Sequence, residues 1–153
     1  MANETGKTRG ESLTVMTELV IPNDTNMLGN LLGGRLLYLI DIVGAMTATR
    51  HAESIVATVQ MNTVEFKRPI KLGCIVELTS YVVWTGNTSI EVAVEIYGED
   101  PITKTREFIS KVFMVFVALD AEGRKHKTIP YLPETEREIQ DYEEAANRRR
   151  QTI

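Results

Sequence analysis

The sequence predicts an α+β fold in which one long helix is wrapped by an antiparallel sheet, in the order βαββββ, with a surface helix at the carboxyl end. Three observations carry this expectation. Arg35 to Arg50 is apolar or small in nearly every direction of a helical wheel. Five segments rich in β-branched residues surround it, one before and four after. Within the fourth, Ile90, Val92, Val94 and Ile96 alternate against Glu91, Ala93 and Glu95, which is the pattern of a strand with one wet face.

Taken in order, residues 1–10 hold nothing to bury and read as a mobile tail. Residues 11–132 form one domain, and 133–153 a helix or tail. Ser12 to Ile21 suggests the first strand, ending at Pro22. Turn chemistry follows in Asn23, Asp24, Asn26, Gly29 and Asn30, and Gly33-Gly34 opens the helix. His51-Ala52-Glu53 ends it, with His51 as a C-terminal cap. A second strand is expected from Ile55 to Phe66, where Thr58, Gln60 and Asn62 alternate against apolar positions. Pro69 to Gly73 breaks the chain. Ile75 to Trp84 is the third strand, Gly86-Asn87 turns it, and Ser89 to Tyr97 is the fourth. Gly98 to Thr105 reads as a polar loop. Phe108 to Leu119 is apolar on both faces from Val112 onward, so it is expected inside the sheet or covered by another subunit. Beyond Pro133, acids lead and Arg148 to Arg150 close, an order that suits a helix macrodipole. The weak stripe of Ile139, Tyr142 and Ala146 makes this a surface helix, and the arginines read as a solvated end in preference to a phosphate site.

Composition narrows the function classes. At 153 residues, with 43% apolar and 25% charged side chains, the chain suits a single globular domain. No run of eighteen apolar residues and no apolar leader is present, so a cytoplasmic location without membrane contact is expected. One cysteine and two histidines leave no disulfide framework and no Cys/His metal cluster. The formal charge of -4 argues against nucleic-acid binding.

The residues that invite chemistry lie between Pro22 and Arg50. Asp41 is a carboxylate on an otherwise apolar helix, where it must be paired or used. It lies about two turns past Gly34, on the face of Leu37 and Tyr38, with Gly44 and Ala45 leaving room there. Gly33-Gly34 presents unpaired N–H groups and the positive end of the macrodipole. The structural alternatives are that Asp41 braces a neighbouring backbone, that the glycines only turn the chain, and that Asn26 is an Asx-turn residue.

Asn26, Gly29, Gly33-Gly34 and Asp41, followed by Val64 to Gly73 (VEFKRPIKLG) and Gly86 to Val92 (GNTSIEV), resemble the hot-dog-fold acyl-CoA thioesterases, most nearly the cytosolic acyl-CoA hydrolase group. The resemblance covers roughly residues 12 to 133. It implies a curved sheet around the helix, chemistry carried by Asn26 and Asp41, and a homo-oligomer built on dimers with continuous sheets. It further implies sites shared between the loop of one subunit and the helix of the other. Two positions depart from the pattern: Leu32 stands where many relatives have His, and Cys74 where they have Asp.

On this reading a thioester is hydrolysed without a serine or cysteine triad. Asp41 acts as general base on a water, or as a nucleophile. Backbone N–H groups at Gly33, Gly34 or Arg35 hold the oxyanion. Asn26, which both donates and accepts, orients the water or the thioester. Lys67, Arg68 and Lys71, with Thr88 and Ser89 assisting, are the candidates for the coenzyme A half of the substrate; a plain charged turn is the alternative. No cofactor beyond that substrate is expected. Cys74 reads as a packing thiol. A hydratase or dehydratase on the same fold would use a histidine near the helix, and none stands between Pro22 and Arg50. A non-catalytic acyl-CoA-binding protein is the third reading, disfavoured by the cost of keeping Asp41 on an apolar helix.

Overall fold

The computed structural model describes residues 6–62 and 64–151. Five strands form one antiparallel sheet in the order β1-β3-β4-β5-β2: β1 Thr14–Leu19, β2 Ile55–Met61, β3 Ile75–Thr85, β4 Ser89–Asp100 and β5 Thr105–Leu119. Helix α1, Gly33–Ala52, lies in the concavity, and α2, Glu136–Gln151, lies on the outer face. The expected βαββββ order and the hot-dog arrangement are both present.

The core sits between α1 and the inner sheet face. Leu36, Leu39, Ile40 and Val43 of the helix pack with Val92, Val94, Met114 and Phe116, all buried. Close approach fixes Gly44, where a Cβ would stand 2.9 Å from Met114 Sδ. Gly44 therefore faces the sheet, and the room expected beside Asp41 is filled by Met114 and Phe116.

Several boundaries differ from expectation for physical reasons. β2 ends at Met61; of the expected continuation to Phe66, residue 63 lies outside the described residues and residues 64–66 are not in a strand. Half of the expected loop of Gly98 to Thr105 is strand, since Gly98, Glu99 and Asp100 pair with Glu107, Arg106 and Thr105. Only Pro101 to Lys104 turns, with Lys104 in the left-handed region at φ 62°. β5 runs between β4 and β2, as its apolar faces predict.

The tail expected through residue 10 begins, among the described residues, as packed chain. Lys7 Nζ donates to the Arg50 carbonyl at 2.7 Å and pairs with Glu53, and Arg9 pairs with Asp141 at 3.1 Å over the Tyr81 ring. His51 is not the cap of α1. Its ring is buried and its Nε2 donates to the Ile129 carbonyl at 2.7 Å, while Glu53 caps the helix from the left-handed region.

On α2 Asp141 and Ala145 are buried, Tyr142 of the expected stripe is half-buried against the core and stacks on Tyr131, and Ile139 is exposed. Arg148 is no solvated end: its Nε donates to Glu91 at 2.9 Å and its guanidinium stacks on Phe113. Glu91 is only 2% exposed, so the face of β4 expected to be wet is covered by α2.

Candidate active site

The Asn26 loop is folded by its own polar groups. Asn26 Oδ1 accepts from Leu28 N–H at 2.9 Å and Asn30 N–H at 3.1 Å, and Asn26 N–H donates to the Asn30 carbonyl. Gly29 adopts φ 78°, a conformation that suits glycine. This is the Asx-turn alternative realised. It uses the carbonyl side of the amide, and the Nδ2 donors of this exposed residue have no hydrogen bond among the described residues.

Three backbone contacts staple this loop to the Pro69 to Gly73 turn. Leu31 N–H donates to Ile70 at 2.7 Å, Leu72 N–H donates to Gly29 at 2.9 Å, and Asn30 bridges Lys71. The turn bearing Arg68 and Lys71 is thereby held beside Asn26. Between loop, turn and helix lies a cavity of about 290 Å³ lined by Asn26, Gly33, Leu36, Phe66, Arg68 and Ile70 among others.

The amino end of α1 opens here. Leu36 N–H bonds the Leu32 carbonyl, so Gly33, Gly34 and Arg35 carry the N–H groups left over at a helix start. The N-cap residue Leu32 supplies no side-chain acceptor. Gly33 backs onto Phe66, where a Cβ would come within 3.3 Å, while a Cβ at Gly34 would meet nothing within 4 Å. An unsatisfied, positively polarised helix end thus borders the cavity.

Asp41 is elsewhere on the chain. It does not line the cavity, and eight residues of helix separate it from Gly33, about 12 Å. The expectation of a buried carboxylate is corrected: Asp41 is partly exposed on a helix face where Leu37, Tyr38 and Ile42 are also open. The helix is apolar all round, yet its own sheet covers one side only. Thr58 Oγ1 on β2 donates to Asp41 Oδ1 at 2.8 Å. Sequence reasoning missed Thr58, which reads as one more polar residue in an alternating strand. It missed Phe66 as a cavity wall for a similar reason, taking it as strand.

The basic run is dispersed. Arg68 pairs with Glu107 at 3.1 Å beside Lys67 and Phe108, and both partners of that pair are exposed. Thr88 and Ser89 stand at the other end of the sheet: the Gly73-Cys74 turn leads into Ile75↔Glu99, whereas Thr88 leads into the Thr85↔Ile90 end of the same hairpin. One chain therefore groups Asn26, Gly33, Gly34, Arg68 and Lys71, and leaves Asp41, Thr88 and Ser89 apart. Cys74 is half-buried against the core, as a packing thiol would be.

Residues 28–104 match the family model of the Thioesterase superfamily. An uncharacterized acyl-CoA thioester hydrolase of Bacillus subtilis is 40% identical over 147 residues, covering 95% of this chain and 86% of that protein. The chain belongs to the thioesterase superfamily. Among solved structures, this superfamily member superposes on an apo-hexameric acyl-CoA thioesterase with a TM-score of 0.91 at 36% identity, covering 95% and 93% of the two chains. A Staphylococcus aureus acyl-CoA hydrolase in complex with butyryl coenzyme A, coenzyme A and coenzyme A disulfide superposes at 0.88 with 33% identity, covering 95% and 89%. Variants of that enzyme replace an aspartate, a threonine and an asparagine by alanine. In that enzyme's numbering, the asparagine precedes the aspartate by fifteen positions and the threonine follows it by seventeen, the spacings of Asn26, Asp41 and Thr58 here.

Proposed function

We propose that the protein hydrolyses acyl-CoA thioesters to a free carboxylic acid and coenzyme A. The observation that carries this reading is the uncapped amino end of α1 bordering the same cavity as Asn26. The thioester carbonyl oxygen sits against the N–H groups of Gly33, Gly34 or Arg35, which receive the negative charge that develops on it. Asn26 acts as donor only, since its Oδ1 is already committed within the loop. Asp41, oriented by Thr58, takes a proton from water. The water oxygen adds to the carbonyl carbon, the C–S bond breaks, and the proton passes to the departing thiolate. The spacing shared with the Staphylococcus aureus variants supports these three residues.

Asp41 and the cavity belong to one site only if a second subunit takes part. Met27 and Leu28 at the loop tip are 102% and 83% exposed, and the α1 face around Asp41 and the edge strand β2 leave Tyr38, Ile42, Ile55 and Val59 open. Such surfaces on an unpaired edge suit a copy of the same chain. We therefore assign a homo-oligomer built on a two-fold contact, in which the loop of one subunit meets Asp41 of the other. The hexameric thioesterase that superposes on this chain supports assembly. Lys67, Arg68 and Lys71 then take the coenzyme A phosphates, and Thr88 and Ser89 contribute from the partner subunit. Coenzyme A enters as substrate, with no resident cofactor. A cytoplasmic setting belongs to the same reading, in keeping with the cytosolic human relative, 29% identical over 90% of this chain and 37% of that protein. No described helix is long and apolar enough to cross a membrane.

The test is turnover of acyl-CoAs of several lengths with detection of free thiol. Asp41→Asn should abolish it and leave the fold intact. Near-normal turnover by that variant would end the role assigned to Asp41.

A further inference from the structure

We propose that Arg35 is a positioning residue that holds the Asn26 loop against the amino end of α1. The proposal rests on the hydrolase reading above. Arg35 is the third residue of α1, where a cation opposes the helix macrodipole. Two carboxylates from different elements answer it. Its NH2 donates to Glu18 Oε1 on β1 at 3.0 Å, and its Nε faces Asp24 Oδ1 at 3.6 Å. The Tyr38 ring, one turn further along the helix, lies 5.2 Å from the guanidinium carbon.

Asp24 is the foot of the loop. Its carbonyl accepts from Leu32 N–H at 2.8 Å, closing the segment that carries Asn26 two residues later. Among the described residues, no other side-chain hydrogen bond or ion pair joins residues 22–32 to α1. A guanidinium fork can serve two carboxylates at fixed angles where an ammonium cannot. The Nε is buried and without a hydrogen-bond partner, because 3.6 Å exceeds hydrogen-bond distance. That spare donor can draw Asp24 inward when the loop closes on a substrate, as catalytic contacts that are long in the free enzyme tighten in the complex. Arg35 thereby sets the distance between the Asn26 amide and the N–H groups that border the same cavity.

The test compares Arg35→Met, Arg35→Lys, Asn26→Ala and the double variant Asn26→Ala/Arg35→Met with the wild-type protein, in hydrolysis of acyl-CoA and in amide hydrogen exchange. Arg35→Met should lower kcat about tenfold or more with KM within about twofold, and Arg35→Lys should recover only part of the loss. On top of Asn26→Ala, Arg35→Met should cost less than about twofold, because its effect runs through Asn26. Exchange at the Leu28 and Asn30 amides, which Asn26 Oδ1 holds, should quicken in Arg35→Met while Val92 and Val94 in β4 keep their protection. Undiminished kcat, an equal loss with and without Asn26, or unchanged exchange at Leu28 and Asn30 would each overturn the proposal. If the wild-type protein turns over no acyl-CoA, the hydrolase reading fails by itself, and the exchange measurement alone decides whether Arg35 holds the loop.

Discussion

Asn26→Ala and Asp41→Asn proteins should each be nearly inactive alone and recover about a quarter of wild-type activity when unfolded and refolded together in equal amounts. The cavity that holds Asn26 lacks Asp41, and about 12 Å of helix axis separates Gly33 from the carboxylate. A base must come within about 3 Å of the proton it takes, or within one water of it. One chain cannot meet that requirement, and two chains related by a two-fold axis can. Random pairing makes about half the dimers mixed, and each mixed dimer has one site with both defects and one with neither. Half of half the sites are then intact. The fraction is the same if dimers gather into hexamers, provided each site is shared within one dimer. The assay is release of free thiol from acyl-CoA, with subunit exchange verified by native mass spectrometry. Full exchange without recovered activity would refute the shared site and leave the thioesterase assignment standing, because sites confined to single subunits would each keep one defect.

Thr58→Val keeps the side-chain shape and removes the hydroxyl that holds Asp41 Oδ1, a hydrogen bond to a charged group worth about 1.5–3 kcal/mol. It should lower kcat by roughly tenfold to a hundredfold with KM little changed; a normal kcat in steady-state assays would remove Thr58 from the site. Arg148→Met strips the cation from Glu91, whose carboxyl burial already pushes above its ordinary range against the pull of Arg148, and should destabilise by about 3–5 kcal/mol in urea titrations. A raised carboxyl favours the protonated form in the fold, so the deficit should be largest near pH 8 and shrink toward pH 5. Glu91→Gln in the same background should restore most of the loss at every pH. His51 titrates in the opposite sense. Burial holds its imidazole below the ordinary value, over the opposing effect of the Ile129 hydrogen bond, with Lys7, Glu11 and Glu53 nearby. Its contribution is complete above the unfolded value of about 6.5 and is lost as pH falls below it, by up to ~1.4 kcal/mol per pH unit. Melting temperatures of wild type and His51→Gln between pH 7.5 and 5 should therefore converge as pH falls; parallel curves would show that His51 does not carry this dependence.

The order of elements was legible because each carries its signal locally: Gly33-Gly34 opens α1, Gly86-Asn87 turns β3 into β4, and Pro133 precedes α2. What the sequence hid was which surface covers which. Leu37, Tyr38 and Ile42 look the same in one dimension as Leu36, Leu39 and Ile40, yet the sheet buries the second set and leaves the first open. A wheel that is apolar all round reports the total burial a helix needs and cannot divide it between its own sheet and another chain. Asp41 was read as a buried charge for that reason, and its partner Thr58, seventeen residues away, has no signature apart from the contact.

The carboxyl end failed by a related route. Glu91 on an alternating strand and Arg148 in a run of arginines each read as solvated, and each is the cover of the other across 57 positions of sequence. Opposite charges that desolvate one another leave two polar patterns and no apolar stripe. The docked face of α2 is accordingly Asp141, Ala145 and Arg148, two ion-pair anchors around one alanine, with Tyr142 of the expected stripe half-buried against the core, while Ile139 points outward. Apolar periodicity finds only Tyr142 of such a face. Charge complementarity finds the rest, but only once the fold has set Arg9, ahead of β1, and Tyr81 and Glu91 of the sheet beneath the helix. The docking of α2 is thus encoded jointly by the helix and by the strands it covers, and no window along the chain contains both halves.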